Sequence, residues 1–267
     1  MKSVKTKKLL LAAAVIAAAV AAGNASAAIV ITEVDPYGSA SASTYSADWF
    51  ELTNTGAAAV DITGWTMIDN HAASNTSNPY GTGNTISIGN LTGSNATFGA
   101  AALTLASGAT SIAAGQSVIF LESPSSASSS GTLISKFETA WFGSNVPGGL
   151  TMGTYNDGSS AIYGLSQTAD MVNIFNGSTS GATLMASVAF GADSGSPIAT
   201  FDNAAGLNNT TLTQKSAAGV NGAFLSASTL ELGSPGVIAA VPESQSYILL
   251  LLGLGLFGFL RRKNPAA

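Results

Sequence analysis

Short apolar runs, punctuated by turn residues, recur along most of this chain. Runs rich in Val, Ile, Thr, Phe and Trp, bounded by Gly, Asn, Ser and Asp, read as β-strands. The pattern predicts strands over 28–34, 47–54 and 60–69. Asn54-Thr55-Gly56 closes the second strand, and Gly64 marks a bend before Trp65 in the third. Weaker strands are expected at 85–88, 97–98 and 102–105, and a strong one at 117–122, after the turn Ala113-Ala114-Gly115-Gln116. The runs 170–176 and 183–191 predict a hairpin across the loop 177–181, and late strands are expected at 210–214 and 222–225. No repeat of fixed period is visible. The spacing of short strands and turns predicts an all-β sandwich or barrel.

One segment follows a different period. After a Ser-rich stretch at 123–131, Leu133, Ile134, Phe137, Ala140 and Trp141 recur at helical spacing. A helix over 132–142, packed on the sandwich edge, is expected; a partner-binding helix is the alternative. The Gly- and Asn-rich segment 143–160 reads as a long loop.

The two ends are patterned otherwise. Lys2, Lys5, Lys7 and Lys8 precede an apolar run at 9–22, and Ala25-Ser26-Ala27 offers small residues for cleavage after Ala27. This is the pattern of a secretory signal peptide, a retained N-terminal anchor being the alternative. At the other end, Val241-Pro242-Glu243-Ser244 leads into an apolar stretch at 247–260 and then Arg261-Arg262-Lys263. That stretch of about fourteen residues is short of the roughly twenty that span a bilayer comfortably. The basic residues are expected to stay cytoplasmic. A segment held briefly and then removed fits this length; an ordinary C-terminal membrane helix is the alternative. The organisation is thus 1–27 signal peptide, 28–240 body with an insertion about 123–160, and 241–267 tail.

Without its ends the body keeps Lys136 and Lys215 against thirteen carboxylates, a net charge of −11. Such a surface repels nucleic acid and anionic lipid, so cations or neutral glycans are the expected ligands. There is no cysteine, so an exported domain must be held by its own core. Thiolate zinc sites are excluded, and with His71 as the single histidine, so are sites needing two imidazoles of one chain.

Catalytic signals are weak. No Gly-x-Ser-x-Gly elbow is present, and Gly195-Ser196-Pro197 is no substitute. His71 lies near Asp69 and several serines, but a loop histidine is the simpler reading. No phosphate-binding glycine loop stands between a strand and a helix. Nothing selects a glycosidase pair among the thirteen carboxylates. Asp69, Asn70, His71, Asn75 and Asn78 crowd one loop, so Asp69 and His71 are candidate calcium ligands, turn formation being the alternative. By strand alternation Glu33 shares a face with Ile29 and Ile31, and Glu51 with Trp49. Both carboxyls are then partly buried and require hydrogen bonds or a cation. Trp49, Trp65, Phe50 and Phe120 are expected core, with Trp65 beside Trp49. Tyr37, Tyr45, Tyr80, Tyr155 and Tyr163 are expected in loops, where rings can stack on sugars.

Two resemblances organise these readings. The tail resembles the PEP-CTERM sorting signal of Gram-negative bacteria, with Ser244 where the family's motif has its second proline. The resemblance implies processing near Pro242 and Glu243 by a membrane-embedded exosortase, with Arg261 and Arg262 as the stop. It implies transient residence in the inner membrane and release to the cell surface or extracellular matrix, where exopolysaccharide is a candidate partner; signal peptidase is the partner expected from the N-terminal pattern. The body resembles a lamin tail domain. Ile29-Val30-Ile31-Thr32-Glu33-Val34, Asp48-Trp49-Phe50-Glu51-Leu52-Thr53-Asn54 and the segment 60–69 resemble that family's opening. The segments 112–116 and 165–175 are similar to its later elements, and Gly233-Ser234-Pro235-Gly236 to its ending. The resemblance implies an immunoglobulin-like β-sandwich and brings no catalytic residues. An exported, non-catalytic structural or adhesive protein is expected, with a carbohydrate-binding module and a cation-dependent secreted hydrolase as alternatives.

Overall fold

A computed structural model describes residues 29–38, 43–69, 101–123, 127–156, 164–167, 170–177, 182–192, 195–203 and 211–237. Strand β1 (Ile29–Asp35) pairs antiparallel with β2 (Trp49–Asn54), and β2 pairs antiparallel with β7 (Ser117–Glu122). Every residue of β2 and β7 is buried. Alternate side chains of a strand point to opposite faces, so both faces of this part of the sheet are covered.

Between β2 and β7 the chain forms β3 (Val60–Asp61), β4 (Thr66–Asp69), β5 (Ala101–Leu105) and β6 (Ser111–Ile112). The single strand expected at 60–69 is therefore two. Gly64 turns the chain between them with φ of 73°, a conformation that glycine adopts without strain. β3 pairs with β6 alone, whereas β4 joins the main sheet. Beyond β7 come β8 (Met152–Asn156), β9 (Asp170–Phe175) and β10 (Leu184–Phe190). β9 and β10 form the expected antiparallel hairpin. The main sheet has ten strands in the order β12-β1-β2-β7-β8-β5-β4-β9-β10-β13, where β12 is Phe201–Asp202 and β13 is Thr211–Leu212. The sheet folds over on itself, so that β1 packs against β10. β11 (Ile198–Ala199), β15 (Glu231–Gly233) and β14 (Phe224–Leu225) form a small sheet of their own, not hydrogen-bonded into the main ladder.

The fold of the sheet encloses one apolar core. Ile29, Ile31 and Val34 meet Phe50, Leu52, Trp65, Met67, Leu103, Phe120, Tyr155, Val172, Ile174, Val188, Phe190 and Phe201 there. A second core lies between the outer face of the β2–β7–β8 layer and helix α1 (Ala127–Phe142). Leu133, Phe137, Ala140 and Trp141 of α1 pack onto Trp49, Ile119, Leu121 and Met152. Trp49 meets Phe137 and Trp141 edge-on, each at 5.7 Å between ring centroids, a favoured aromatic geometry. Gly143, with φ of 61°, ends the helix, and its N–H donates to the Thr139 carbonyl at 3.0 Å.

Three expectations are corrected here. Trp65 and Trp49 are both buried but belong to different cores on opposite faces of the sheet. The segment 143–160 is not all loop, because it contains β8, which pairs parallel with β7. Parallel neighbours need a long crossover, usually a helix, and α1 is that crossover rather than an edge decoration. Tyr45 and Tyr155 are buried, not loop rings open to sugars. The strands expected at 85–88 and 97–98, Tyr80, Tyr163, the signal segment with Ala27, and the tail with Pro242, Glu243, Arg261 and Arg262 lie outside the described residues. Among the described residues no helix is long and apolar enough to cross a membrane.

Phe137 is fully buried between Tyr45, Trp49 and Trp141. Phe137→Ala is therefore expected to cost about 3–5 kcal/mol, the usual loss for a core aromatic. Urea denaturation followed by tryptophan fluorescence checks this, with a lowered midpoint and an unchanged slope expected.

Candidate functional site

Among the described residues eight carboxyl side chains are buried: Glu33, Asp35, Asp48, Glu51, Glu122, Asp170, Asp202 and Glu231. Asp and Glu are rarely buried unless paired, yet the only lysines and arginines among the described residues are Lys136 and Lys215. Lys136 is exposed on α1, and the Lys215 ammonium lies 5.8 Å over the Phe201 ring. What holds the carboxyls is mostly hydrogen bonding.

A β-bulge sets up the first pair. The β1–β2 register shifts between Ile31 and Glu33, so Ile31 faces Leu52 and Glu33 faces Glu51. Past the bulge Glu33 leaves the face of Ile29 and Ile31, contrary to expectation, and Val34 takes the core position. Apolar residues at 29, 31 and 34 already break a period of two, and that break was the readable signal. Asn203 satisfies the bulged backbone. Its N–H donates to the Thr32 carbonyl at 2.9 Å, and its side-chain amide donates to the Ile31 carbonyl at 2.8 Å.

Glu33 and Glu51 thus sit side by side under the segment 231–236. Glu33 Oε1 accepts from the Ser234 N–H at 2.8 Å and from the Thr200 hydroxyl. Glu51 Oε1 accepts from the Thr32 hydroxyl at 2.6 Å, and its Oε2 from the Gly236 N–H at 2.6 Å. Gly233 permits the close approach, since a Cβ there would lie 2.6 Å from Glu33 Oε1. Gly236 has φ of 73°, and a Cβ there would lie 2.4 Å from Leu150 Cδ1. The tetrad Gly233-Ser234-Pro235-Gly236 is therefore a backbone clamp on two carboxyls.

A second pair lies beside it. Asp35 accepts from the Tyr37 N–H at 2.8 Å and from Trp49 Nε1 at 3.1 Å. Tyr45 donates its hydroxyl to Glu231 Oε1 and accepts from Trp49 Nε1 at 3.2 Å. A third pair is Asp48 and Glu122, at the adjoining ends of β2 and β7. The Asp48 N–H points to Glu122 Oε2 at 3.4 Å.

The electrostatics follow from burial without countercharge. Burial, then the neighbouring Glu51 charge, hold the Glu33 carboxyl well above its ordinary range. Burial raises Glu51 to about 7 against the opposing hydrogen bonds from Thr32 and Gly236. Burial, then the Asp35 charge, raise Glu231 to about 8, and burial raises Glu122 to about 7. Near neutral pH these carboxyls are thus at least partly protonated, where other proteins place lysine or arginine beside a carboxylate.

The calcium candidates read from the sequence are Asp69 and His71. Asp69 ends β4 with its backbone beside Val172, and His71 lies outside the described residues. Among the described residues no group of three or more His, Cys, Asp or Glu side chains is placed to hold a metal. The surface offers an open depression along α1, lined by Thr44, Gly131, Thr132, Ser135, Lys136 and Thr139.

A mostly antiparallel sandwich with one crossover helix, its polar groups turned inward, is an all-β domain of immunoglobulin-like kind. A family model described as Lamin Tail Domain matches residues 22–192, and the chain belongs to that family. The match stops before β11, so the clamp on Glu33 and Glu51 lies beyond it. No curated protein and no solved structure matches the chain.

The raised carboxyls dictate a pH dependence. Each binds its proton more tightly in the folded state than in the unfolded chain, where glutamate titrates near 4.3. The stabilisation is complete below that value and is lost as pH rises through about 7 to 8. Stability is expected to fall between pH 5 and 8, by up to about 1.4 kcal/mol per pH unit for each proton retained. Glu51→Gln is expected to flatten the profile, because its amide oxygen can accept from Gly236 while its NH₂ donates to Thr32. Urea midpoints at stepped pH check both expectations; a profile rising from pH 5 to 8 would contradict them.

Proposed function

We propose that this chain is an exported, non-catalytic structural or adhesive protein, sorted by its C-terminal segment and released to the cell surface or extracellular matrix. The observation that carries the non-catalytic reading is the destination of the carboxyls. Among the described residues, eight are buried beneath the 231–236 clamp and between strands, not gathered in an open cleft. A hydrolase needs such groups to reach a substrate, and a sandwich that spends them on its interior is suited to load-bearing or display. The burial of Tyr45 and Tyr155 removes two of the rings that a sugar-stacking face would use.

The sorting reading rests on the pattern at the two ends. Lys2 to Lys8 and Ala25-Ser26-Ala27 support signal-peptide cleavage after Ala27, and Pro242-Glu243, the apolar stretch and Arg261-Arg262 support exosortase-type processing. A permanent span of about fourteen apolar residues would require bilayer thinning or snorkelling of its basic flank. Expression in a Gram-negative host that carries an exosortase, followed by intact-mass measurement of the exported product, tests the reading. The expected product begins at Ala28 and ends near Glu243. One that begins at Ala28 and still carries 248–263 would make this a membrane-anchored protein. Neutral residues in place of Arg261 and Arg262 are expected to impair processing.

A further inference from the structure

The Asp48–Glu122 pair differs from the other carboxyls in what faces it. Asp48 directly precedes β2 and Glu122 ends β7, and the Glu122 N–H donates to the Asp48 carbonyl at 2.9 Å. The two side chains therefore project together at one end of the sheet. Glu122 is 5% exposed, and its Oε1 has no hydrogen-bond partner. A buried carboxylate oxygen without a partner carries a large desolvation cost.

The space next to that oxygen is shaped by Gly164. A Cβ at Gly164 would lie 2.8 Å from Asp48 Oδ2, 3.4 Å from Glu122 Oε2 and 3.5 Å from Glu122 Oε1. Three carboxylate oxygens of Asp48 and Glu122 thus converge on the backbone of residue 164, an approach that a side chain there would block. At Glu33, by contrast, the backbone N–H of Ser234 fills the corresponding role.

We propose that Asp48 and Glu122 bind a calcium ion over the backbone of Gly164. Calcium accepts carboxylate oxygens singly or in pairs with tolerant geometry, and completes its shell with carbonyls and water. Magnesium demands a near-ideal octahedron and gives up water reluctantly. Two carboxylates provide fewer charges than a high-affinity site, so the affinity falls in the range of extracellular modules, about 10⁻⁴–10⁻³ M. Neither Asp69 nor His71 is among the ion's ligands.

Equilibrium dialysis of the full chain against radiolabelled CaCl₂, with ionic strength matched by NaCl, tests the proposal. One saturable calcium per chain is expected. Glu122→Gln and Asp48→Asn are each expected to weaken it by at least roughly tenfold, the loss that even outer-shell changes cause. Asp69→Asn is expected to leave it unchanged. Melting curves without calcium show whether each variant folds, and the near-isosteric Glu122→Gln keeps an acceptor for the Asp48 N–H. Calcium is expected to raise the melting temperature of the wild type and not of Glu122→Gln. Absence of saturable binding overturns the proposal. So does wild-type affinity in both folded variants, or loss of the site in Asp69→Asn instead.

Discussion

The contact on which this domain depends is made by two backbone N–H groups, those of Ser234 and Gly236, with the carboxyls of Glu33 and Glu51. The bond from Ser234 to Glu33 spans 201 residues of chain, so it ties the last strand of the domain to the first. The contact requires several features at once. The bulge after Ile31 must turn Glu33 out of the core, Asn203 must satisfy the backbone that the bulge exposes, and Gly233 must leave room for the carboxyl. A neutral carboxyl or a hydrogen-bonded carboxylate is tolerable in such a place, whereas an unpartnered charge is not. The nearly cation-free composition and the inward-turned acids are two sides of one solution.

Packing on both sides of the β1–β2–β7–β8 layer explains why that solution is stable. One face meets the opposite half of the folded sheet, and the other meets α1 and the small β11–β15–β14 sheet region. A domain without disulfides must bury enough apolar area to offset its chain entropy, and the second core under α1 adds Trp49, Phe137 and Trp141 to that burial. The helix has no acidic residue in its first turn and no basic residue in its last. Its aromatic face, rather than helix-dipole complementation, holds it in place.

Much of this architecture was legible in the chain. β7 was read at its observed bounds, the hairpin of β9 and β10 lay within one residue of its expected limits, and the apolar spacing from Leu133 to Trp141 located the helix. These elements carry strong local periodicity, so their signal does not depend on tertiary context. β8 was lost because Met152-Gly153-Thr154-Tyr155-Asn156 has little apolar content; its pairing with β7 and β5 makes it a strand. The carboxyl array was half legible. Alternation placed Glu51 with Trp49 and anticipated hydrogen bonds in place of ion pairs, but it misplaced Glu33, because a bulge reverses alternation. The pairing of Asp35 with Glu231 joins residues far apart in the chain, and no local pattern announces it.

The central claim is that Glu33, Glu51 and Glu231 are held by burial and hydrogen bonds, with protons in place of cationic partners. Carboxyl ¹³C chemical shifts of the glutamates, followed from pH 3 to 9 in the folded protein, test it directly. The account predicts that these three titrate above the ordinary range, Glu51 near 7 and Glu231 near 8. Midpoints near 4 for all three, the value of solvated glutamate, would contradict it.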